Sequence, residues 1–348
     1  MSARSSRADP TMFFYIIRRL ISVVVMLLII SMTTFLLFFA APEDPARLTC
    51  GKNCTPAVIE GNRKALGYDK PLAVQYGKFL QGLFVDRKYP DDPELQAKSP
   101  EIVTTCEAPC LGYSVMAHQS VTEIVKQRLP VSASIALAAF VLWMIVGVSG
   151  GIIAALNRGK WIDRVIVGLA LIGFSLPTFF IGLLLYTFVS IKWGLLPRPE
   201  YISFTTNPAA WASNLILPAV TLAMVFAASY VRLTRAYMLE TMSEDYIRTA
   251  RAKGVKESIV IRKHGLRAAL TPIVTAAGMD LGGLLGGAVI TEQVFTFQGL
   301  GYTAIKAIET TDLPIIVGIV IVASTFVVIA NLVVDVLYGV IDPRVRLT

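Results

Sequence analysis

The sequence predicts an all-α integral membrane protein with six transmembrane helices, both termini in the cytoplasm, and a long extracytoplasmic loop or subdomain between helices one and two. Of its 348 residues, 55% are hydrophobic and 16% are charged, and the mean hydropathy is +0.63. A soluble domain of this composition would expose too much apolar surface to water. Apolar runs also recur at about the 20-residue length that a helix needs to cross a bilayer.

Six apolar runs define the predicted spans. The first three contain no Asp, Glu, Lys or Arg, and the fourth continues into Arg232 and Arg235, whose long stems can reach an interface. The N-terminal run is longer than the apolar core of a usual signal peptide, which predicts an uncleaved first span. The spans are predicted at 21–41, 131–156, 165–191, 215–231, 273–290 and 313–337.

The distribution of basic residues predicts the orientation, because Lys and Arg are retained on the cytoplasmic side of a membrane. With both termini inside, more than half of the 32 Lys and Arg fall in inner segments, and most acidic residues fall in outer ones. Membrane topology therefore explains the net charge of +8, and we expect no nucleic-acid partner. The chain divides into a tail and first helix at 1–41, an extracytoplasmic region at 42–119, and a five-helix core at 120–348 with a long cytoplasmic loop at 238–271.

The extracytoplasmic region is turn-rich and holds all four cysteines, in two C-x-x-x-C pairs: Cys50 with Cys54, and Cys106 with Cys110. An oxidising compartment and a small core favour two disulfides, although four cysteines allow three connectivities. A zinc or iron–sulfur site is the alternative, but its usual spacing is C-x-x-C, so we expect no metal site. The stretch 121–129 follows as an interfacial helix, with Pro130 introducing the second span.

Two membrane segments are candidates for helix packing or for lining a pathway. Pro177 in the third span removes one helical hydrogen bond and predicts a kink beside Phe174 and Ser175, which could line a path or contact lipid and core. The fifth span carries small residues four apart, which let helices approach each other closely. These residues are predicted to pack within the subunit or against a second permease, or to contact the substrate. The glycines of the fifth span are Gly278, Gly282 and Gly286 on one ridge, and Gly283 and Gly287 on another.

Two carboxylates inside the predicted spans require polar surroundings. Asp280 costs several kcal/mol in hydrocarbon unless it faces a pathway or pairs at a subunit junction. Asp335 lies close to the end of the last span and is interpreted as a helix-terminal or interfacial carboxylate.

The cytoplasmic loop contains "SEDYIRTARAKG" at 243–254, which predicts one short helix. Ser243 is a candidate N-cap, Glu244 and Asp245 suit the positive end of the helix dipole, and Gly254 suits the exit. Ile247 and Ala250 share one stripe, flanked by arginines. From composition alone, the alternative is a solvated positive loop.

Five segments, in the same order, resemble the permeases of ATP-binding-cassette importers of the dipeptide, oligopeptide and nickel group. One is the loop segment from Ser243 through Arg267, which begins with the stretch just described, and the others are "GFSLPTFFIGLLL", "ILPAVTLA", "DLGGLLGGAVITEQVFTFQGLG" and "DVLYGVIDPRVRL". The resemblance covers residues 12–40 and about 119–346. The broad importer pattern places an acidic residue and two alanines before the fixed glycine, whereas Arg248, Thr249 and Ala250 stand here, as in the peptide-permease variant.

The resemblance implies that the short helix couples the permease to a separate ATPase subunit. The coupling residues would be Asp245, Tyr246, Ile247, Arg248, Thr249, Ala250, Arg251, Ala252, Lys253 and Gly254. No phosphate-binding loop of the form G-x-x-x-x-G-K-[ST] occurs in the sequence, so ATP and Mg²⁺ are expected on partner ATPases, and this chain is expected to be no enzyme and to hold no cofactor.

The resemblance also implies a bacterial inner-membrane importer, made with a second homologous permease, two ATPases and an extracytoplasmic substrate-binding protein, which would dock on the cysteine-bearing region. The implied cargo is a dipeptide or oligopeptide. The alternatives are nickel or another small solute, or an ion-coupled secondary transporter that uses Asp280.

Overall fold

The structure, a computed structural model, describes residues 10–39, 44–49, 55–286 and 288–341, with the side chains of 10–16 and 336–341 outside the description. In that part of the chain, five helices are long and apolar enough to cross a membrane, or six if one sharply bent pair counts as a single span. The five are Ile17–Phe39, Val121–Leu156, Pro208–Ser243, Glu257–Leu285 and Leu313–Asp335. The bent pair is Trp161–Ser175 with Thr178–Lys192.

The region before the core is a small mixed subdomain, so the prediction of an all-α chain is wrong there. Helix α1 (Pro10–Phe39) is followed by short helices and strands. Strands of two or three residues are too short for an alternating pattern to show in the sequence. The elements are α2 (Pro45–Leu48), α3 (Pro56–Leu66), α4 (Leu72–Gly82), β1 (Arg87–Tyr89), α5 (Pro93–Lys98), a 3₁₀ turn (Pro100–Ile102), β2 (Thr104–Cys106), β3 (Tyr113–Ser114) and β4 (Gln119–Ser120).

Two antiparallel ribbons organise this subdomain. Strands β1 and β2 pair with Arg87 opposite Cys106, and β3 and β4 pair with Tyr113 opposite Ser120. A disulfide joins Cys106 to Cys110, which makes these two sulfurs unavailable as metal ligands. Cys50 and Cys54 lie outside the described residues.

The second span is one long helix that runs through Pro130. Helix α6 (Val121–Trp143) continues through a π turn (Met144–Val148) into α7 (Ser149–Leu156). The predicted separate interfacial helix at 121–129 is therefore wrong. Val121, Ile124 and Val125 are buried in a cluster with residues of the last two helices, and this packing holds the helix together across the proline.

The third predicted span is broken where a kink was expected. Helix α8 (Trp161–Ser175) and α9 (Thr178–Leu185), which ends in a π turn (Tyr186–Lys192), meet at 99°. A proline disfavours helical backbone at the residue before it, and here Leu176 and Pro177 are both extended, with ψ of 133° and 138°. Two consecutive extended residues bend the chain far more than the loss of one helical hydrogen bond would.

The remaining helices build the core around one long helix. These are α10 (Pro208–Ser243), α11 (Asp245–Ala252), α12 (Glu257–Ile259), a π turn (Val260–Gly265), α13 (Leu266–Leu285), α14 (Val289–Phe295), α15 (Leu300–Thr310) and α16 (Leu313–Ile341). The fifth span was predicted to reach 290, but α13 ends at Leu285 because Ala288 leaves helical geometry, with ψ of 64°. Helix α14 then starts as a separate element.

Helix α10 is central because it packs against α6, α7, α8 and α13. Gly147 and Gly151, four residues apart, allow its closest approach: a Cβ added at Gly147 would lie 2.6 Å from the Tyr230 Cβ atom. Fully buried Trp143 stacks on Phe226 with ring centroids 4.6 Å apart. Movement of α10 therefore has to displace several spans together.

Candidate coupling surface and membrane pathway

The short helix predicted in the cytoplasmic loop is present as α11, but its start differs from the prediction. Ser243 is the last residue of α10, and its hydroxyl donates to the Glu240 carbonyl at 2.7 Å. Glu244 takes the N-cap position in an extended conformation, without a side-chain capping bond. Glu244 and Asp245 still lie at the positive end of the helix dipole, so the predicted charge pattern holds while the predicted cap is wrong.

One side of α11 is anchored to this chain. Ile247 is completely buried, and α11 packs against the end of α10 and against the π turn Val260–Gly265. A Cβ added at Gly265 would lie 2.7 Å from the Met242 sulfur, which shows how closely that turn approaches α10. The buried side of α11 thus packs within this chain, and Ile247 is not presented to a partner.

The opposite side of α11 is exposed and held in shape by ion pairs. Arg248 lies 3.3 Å from Asp245, and Arg251 makes two hydrogen bonds to Glu257, at 3.0 and 2.7 Å. Exposed pairs add little stability, but the second one joins α11 to the chain beyond the turn. The other coupling candidates on this surface are Tyr246, Thr249, Ala252 and Lys253, all exposed, while Ala250 is half-buried.

Gly254 ends α11 in the left-handed conformation, with φ of +75°. Its N–H donates to the Arg251 carbonyl at 2.9 Å, and the Val255 N–H donates to the Ala250 carbonyl at 3.3 Å. This pair of bonds is a Schellman motif, which favours glycine at that position. A Cβ added at Gly254 meets nothing within 4 Å, so the backbone conformation alone requires glycine.

The residues beside the break in the third span are exposed at the surface of this chain. Phe174 is half exposed, and the Arg232 guanidinium stacks over its ring at 4.5 Å. The Ser175 hydroxyl donates a hydrogen bond within its own helix, to the Leu171 carbonyl at 2.7 Å. The break places Pro177 at the start of α9.

The glycine ridge of the fifth span packs within the subunit. Cβ atoms added at Gly278 and Gly282 would collide with Val334 and Ala330 of α16, and one added at Gly286 would lie 2.7 Å from the Ala323 Cβ atom. Gly283 faces open space, with nothing within 4 Å, whereas Gly287 lies outside the described residues.

Substitution of adjacent glycines separates these two faces. We expect Gly282→Val to destabilise the protein by about 1–3 kcal/mol, because α13 must move away from α16 to admit the side chain. The matched control, Gly283→Val, has the same helix propensity cost and no collision, so its thermal midpoint should stay close to that of the parent. Equal midpoints for the two variants, measured on the detergent-purified protein, would contradict the packing described here.

Both carboxylates in the predicted spans have partners. The Tyr230 hydroxyl donates to Asp280 at 2.6 Å, which ties α10 to α13. Arg19 on α1 forms an ion pair with Asp335 on α16 at 2.8 Å. Asp280 is therefore satisfied inside this chain, by a tyrosine that the sequence analysis did not identify.

A further charged pair ties α10 to the broken span. Arg235 binds the buried Asp163 through two hydrogen bonds, at 2.7 and 2.8 Å, and the Gly159 N–H donates to the same carboxylate. A two-point bond of this kind fixes orientation as well as distance. From the sequence, Arg235 was predicted only to reach an interface, and the acidic Asp163 beside the basic segment was the signal that could have indicated this pair.

Glu292, in the segment between the last two spans, was also not identified. Its side chain is fully buried and accepts from the Ser132 hydroxyl at 2.7 Å, the Ala288 N–H at 3.2 Å and the Tyr302 N–H at 2.8 Å. Ser132 in turn accepts from the Leu300 N–H at 2.8 Å. One carboxylate thus holds the start of α14, the start of α15 and the middle of α6 together.

The mixed subdomain between α1 and α6 is bound to the core by another carboxylate. The Ser114 hydroxyl donates to Asp312, which lies between α15 and α16. Burial raises the pKa of Asp312, and its hydrogen bonds partly oppose that rise. Because a group with a raised folded pKa binds protons on folding, the Asp312 contribution to stability is greatest at low pH and declines as pH rises through the folded pKa.

Comparisons with known proteins cover nearly the whole chain. The family described as binding-protein-dependent transport system inner membrane component matches residues 147–347, and the N-terminal part of such membrane components matches residues 12–136. A peptide transport system permease protein of Brucella abortus (strain 2308) is 38% identical over 305 residues, covering 88% of this chain and 90% of that protein. A glutathione transport system permease protein of Pectobacterium atrosepticum shows the same identity and coverage.

Among solved structures, an inward-facing MetNI methionine ABC transporter aligns with a TM-score of 0.49 at 15% identity, covering 64% of this chain and 97% of that one. The sequence matches are far stronger. They confirm the resemblance on which the permease prediction depended. This chain belongs to the family of inner membrane components of binding-protein-dependent transport systems and is a transport permease subunit.

Proposed function

We propose that this chain forms half of the translocation pathway of an ATP-driven importer in the bacterial inner membrane. In this arrangement it has six spans, with the bent pair α8–α9 as the third, both termini in the cytoplasm, and the cysteine-bearing subdomain outside. Helix α11 and Gly254 then lie on the cytoplasmic side, where they dock into an ATPase subunit. The second half of the pathway is a homologous permease.

The observation that carries this proposal is the set of bonds made by α10. Helix α11 packs against its end, while Arg235 binds Asp163 on α8 and Tyr230 binds Asp280 on α13. A push on α11 therefore reaches the broken span and the glycine-rich span through one rigid helix. Transport requires such a two-state element, which the ATPase biases when it closes on nucleotide.

The proposed partners are inferred from the absence of a phosphate-binding loop in the sequence and from the apolar side chains that this chain exposes. ATP and Mg²⁺ belong on two ATPase subunits, because the sequence has no phosphate-binding loop. Apolar side chains such as Leu169, Ile172 and Phe179 are more than half exposed on the bent pair, and lipid or the second permease would cover them. A substrate-binding protein would dock on the outer subdomain.

We assign peptides as the cargo, because relatives at 38% identity are named as peptide and glutathione transport permeases. Nickel or another small solute is the second candidate within the same framework. Membership in a binding-protein-dependent system argues against an ion-coupled secondary transporter, and Asp280 is already bound by Tyr230.

The experiment is ATP hydrolysis by the complete importer, purified through this chain and reconstituted in liposomes with its binding protein. We expect short peptides, glutathione included, to stimulate hydrolysis severalfold when the binding protein is present, and to have no effect in its absence. Stimulation by Ni²⁺ and not by peptides would overturn the cargo assignment. If no ATPase co-purified with the chain, the coupling proposal itself would fail.

A further inference from the structure

A cavity of about 60 Å³ lies where the outer subdomain meets the ends of the first and last spans. Its apolar wall includes Phe35 and Phe39 of α1 and Val317 of α16. Its polar wall includes Lys78, Arg87 and Asp91 of the outer subdomain. The cavity is therefore amphipathic and lies at the level where α1 leaves the membrane.

The polar wall carries more positive than negative charge. Lys70 and Lys78 both bind one oxygen of Asp91, at 2.7 and 2.6 Å, and Arg87 lies 3.9 Å from the other oxygen. Three cations thus share one carboxylate. Burial alone would raise the pKa of Asp91, but the two lysines outweigh it and lower the value, so Asp91 is ionised. Of the charged residues that line the cavity, two are positive, Lys78 and Arg87, and one is negative, Asp91.

Arg87 keeps its hydrogen-bonding capacity unused. Among the described residues its guanidinium has no acceptor within hydrogen-bond distance, although its side chain is only 17% exposed. It stacks over the Tyr89 ring at 5.0 Å, and its stem packs on Gly82. A guanidinium has five donors in a fork that fits the oxygens of a phosphate or carboxylate, so this cation is positioned and has donors free for a second anion besides Asp91.

Lys78 also lacks compensation. Burial lowers the pKa of its ammonium group, and the hydrogen bond to Asp91 only partly opposes this effect. An additional anion in the cavity would remove that penalty. The structure therefore offers two neighbouring cations, on different elements, to one oxyanion.

The apolar wall indicates that a ligand of this cavity has a hydrocarbon part beside its oxyanion. The surface of α1 next to Phe35 and Phe39 is exposed, with Leu36 43% and Leu37 68% accessible, as expected for a helix that contacts acyl chains. An oxyanion bound by Arg87 and Lys78 would have hydrocarbon directly beside it. We propose that this cavity binds the headgroup phosphate of an anionic phospholipid, whose acyl chains lie along α1.

The test is native mass spectrometry of the importer complex in detergent, titrated with phosphatidylglycerol, with phosphatidylcholine of the same acyl chains, or with inorganic phosphate. The variants are Arg87→Gln and Lys78→Gln. The matched control is Lys88→Gln, which removes the same charge from the adjacent, exposed residue of β1. We expect phosphatidylglycerol to bind the parent and Lys88→Gln equally, and the two cavity variants roughly tenfold more weakly.

Each other outcome overturns the proposal. Equal affinity of Arg87→Gln, Lys78→Gln and Lys88→Gln for phosphatidylglycerol would show that Arg87 and Lys78 do not bind the headgroup. Equal binding of phosphatidylglycerol and phosphatidylcholine would remove the requirement for an anionic headgroup. Arg87-dependent binding of inorganic phosphate at the same affinity would assign the cavity to a free anion. Lys78→Gln supplies the result if Arg87→Gln fails to assemble, because it leaves Arg87, Lys70 and Asp91 in place.

Discussion

Gly254→Val should reduce peptide uptake by at least roughly tenfold and remove the stimulation of ATP hydrolysis by cargo, while the protein still folds and inserts. Gly254 has φ of +75°, a conformation that costs a β-branched residue on the order of 1–3 kcal/mol. The chain avoids that cost by abandoning the Schellman bonds that direct it away from α11. A penalty of about 1.4 kcal/mol already corresponds to a tenfold loss of the docking-competent conformation.

Folding should survive because the space around Gly254 is open, so the new side chain collides with nothing in this chain. The matched control is Gly194→Val: Gly194 also has positive φ, +60°, and also has nothing within 4 Å of an added Cβ. It carries the same kind of backbone penalty in the connection between the third and fourth spans, away from α11. Uptake and hydrolysis are measured in liposomes containing the full importer. If both variants transported equally well, α11 would not be the coupling element.

The spans could be predicted because the mean hydropathy of a span is taken over about 20 residues and does not depend on any single one. Apolar runs identified every described helix that could cross the membrane, but not where each one ends. Helix α10 extends well beyond the predicted 215–231, since Asn214 and Thr234 are buried by packing that composition does not encode. In the same way, Pro177 indicated a break in the helix, but the 99° angle between α8 and α9 depended on Leu176 also being extended.

The polar contacts that organise the core were much harder to predict. Asp163 binds an arginine 72 positions away, and Glu292 binds a serine 160 positions away. A single sequence gives no register between such distant helices, so each residue was visible only as an isolated charge. Gly254 is the opposite case, since its conformation depends on its immediate neighbours, and local pattern was enough to identify the helix exit.

In the proposed coupling mechanism, these distant contacts would keep the helices that they join from moving relative to one another. Tyr230 and Arg235 lie on the same helix and hold two different spans by short hydrogen bonds. Glu292 similarly holds α14 and α15 on α6. Helix α6 also packs against α10, with Trp143 stacked on Phe226, so the contacts of Glu292 attach α14 and α15 to the same group of helices that α10 joins.

Glu292→Gln should lower the thermal midpoint of the purified protein by roughly 2–4 °C, the largest stability effect we expect from a change this small in volume. Both carboxylate oxygens accept hydrogen bonds, from Ser132 and Ala288 on one and from Tyr302 on the other. A glutamine keeps one acceptor oxygen and directs its NH₂ group at the remaining donors. Leaving a buried backbone N–H unsatisfied costs about 1–3 kcal/mol, and the Glu292 side chain is fully buried.

The control for that experiment is Glu309→Gln on α15, which makes the same chemical change at an exposed residue paired only with Lys306. Its midpoint should match that of the parent, because exposed pairs contribute little. Glu292→Asp, which keeps the charge and both oxygens but shortens the side chain, should fall between the two, since it can reach Ser132 or Tyr302 but not both. A Glu292→Gln midpoint equal to that of Glu309→Gln would mean that the buried carboxylate does not hold α14 and α15 in place.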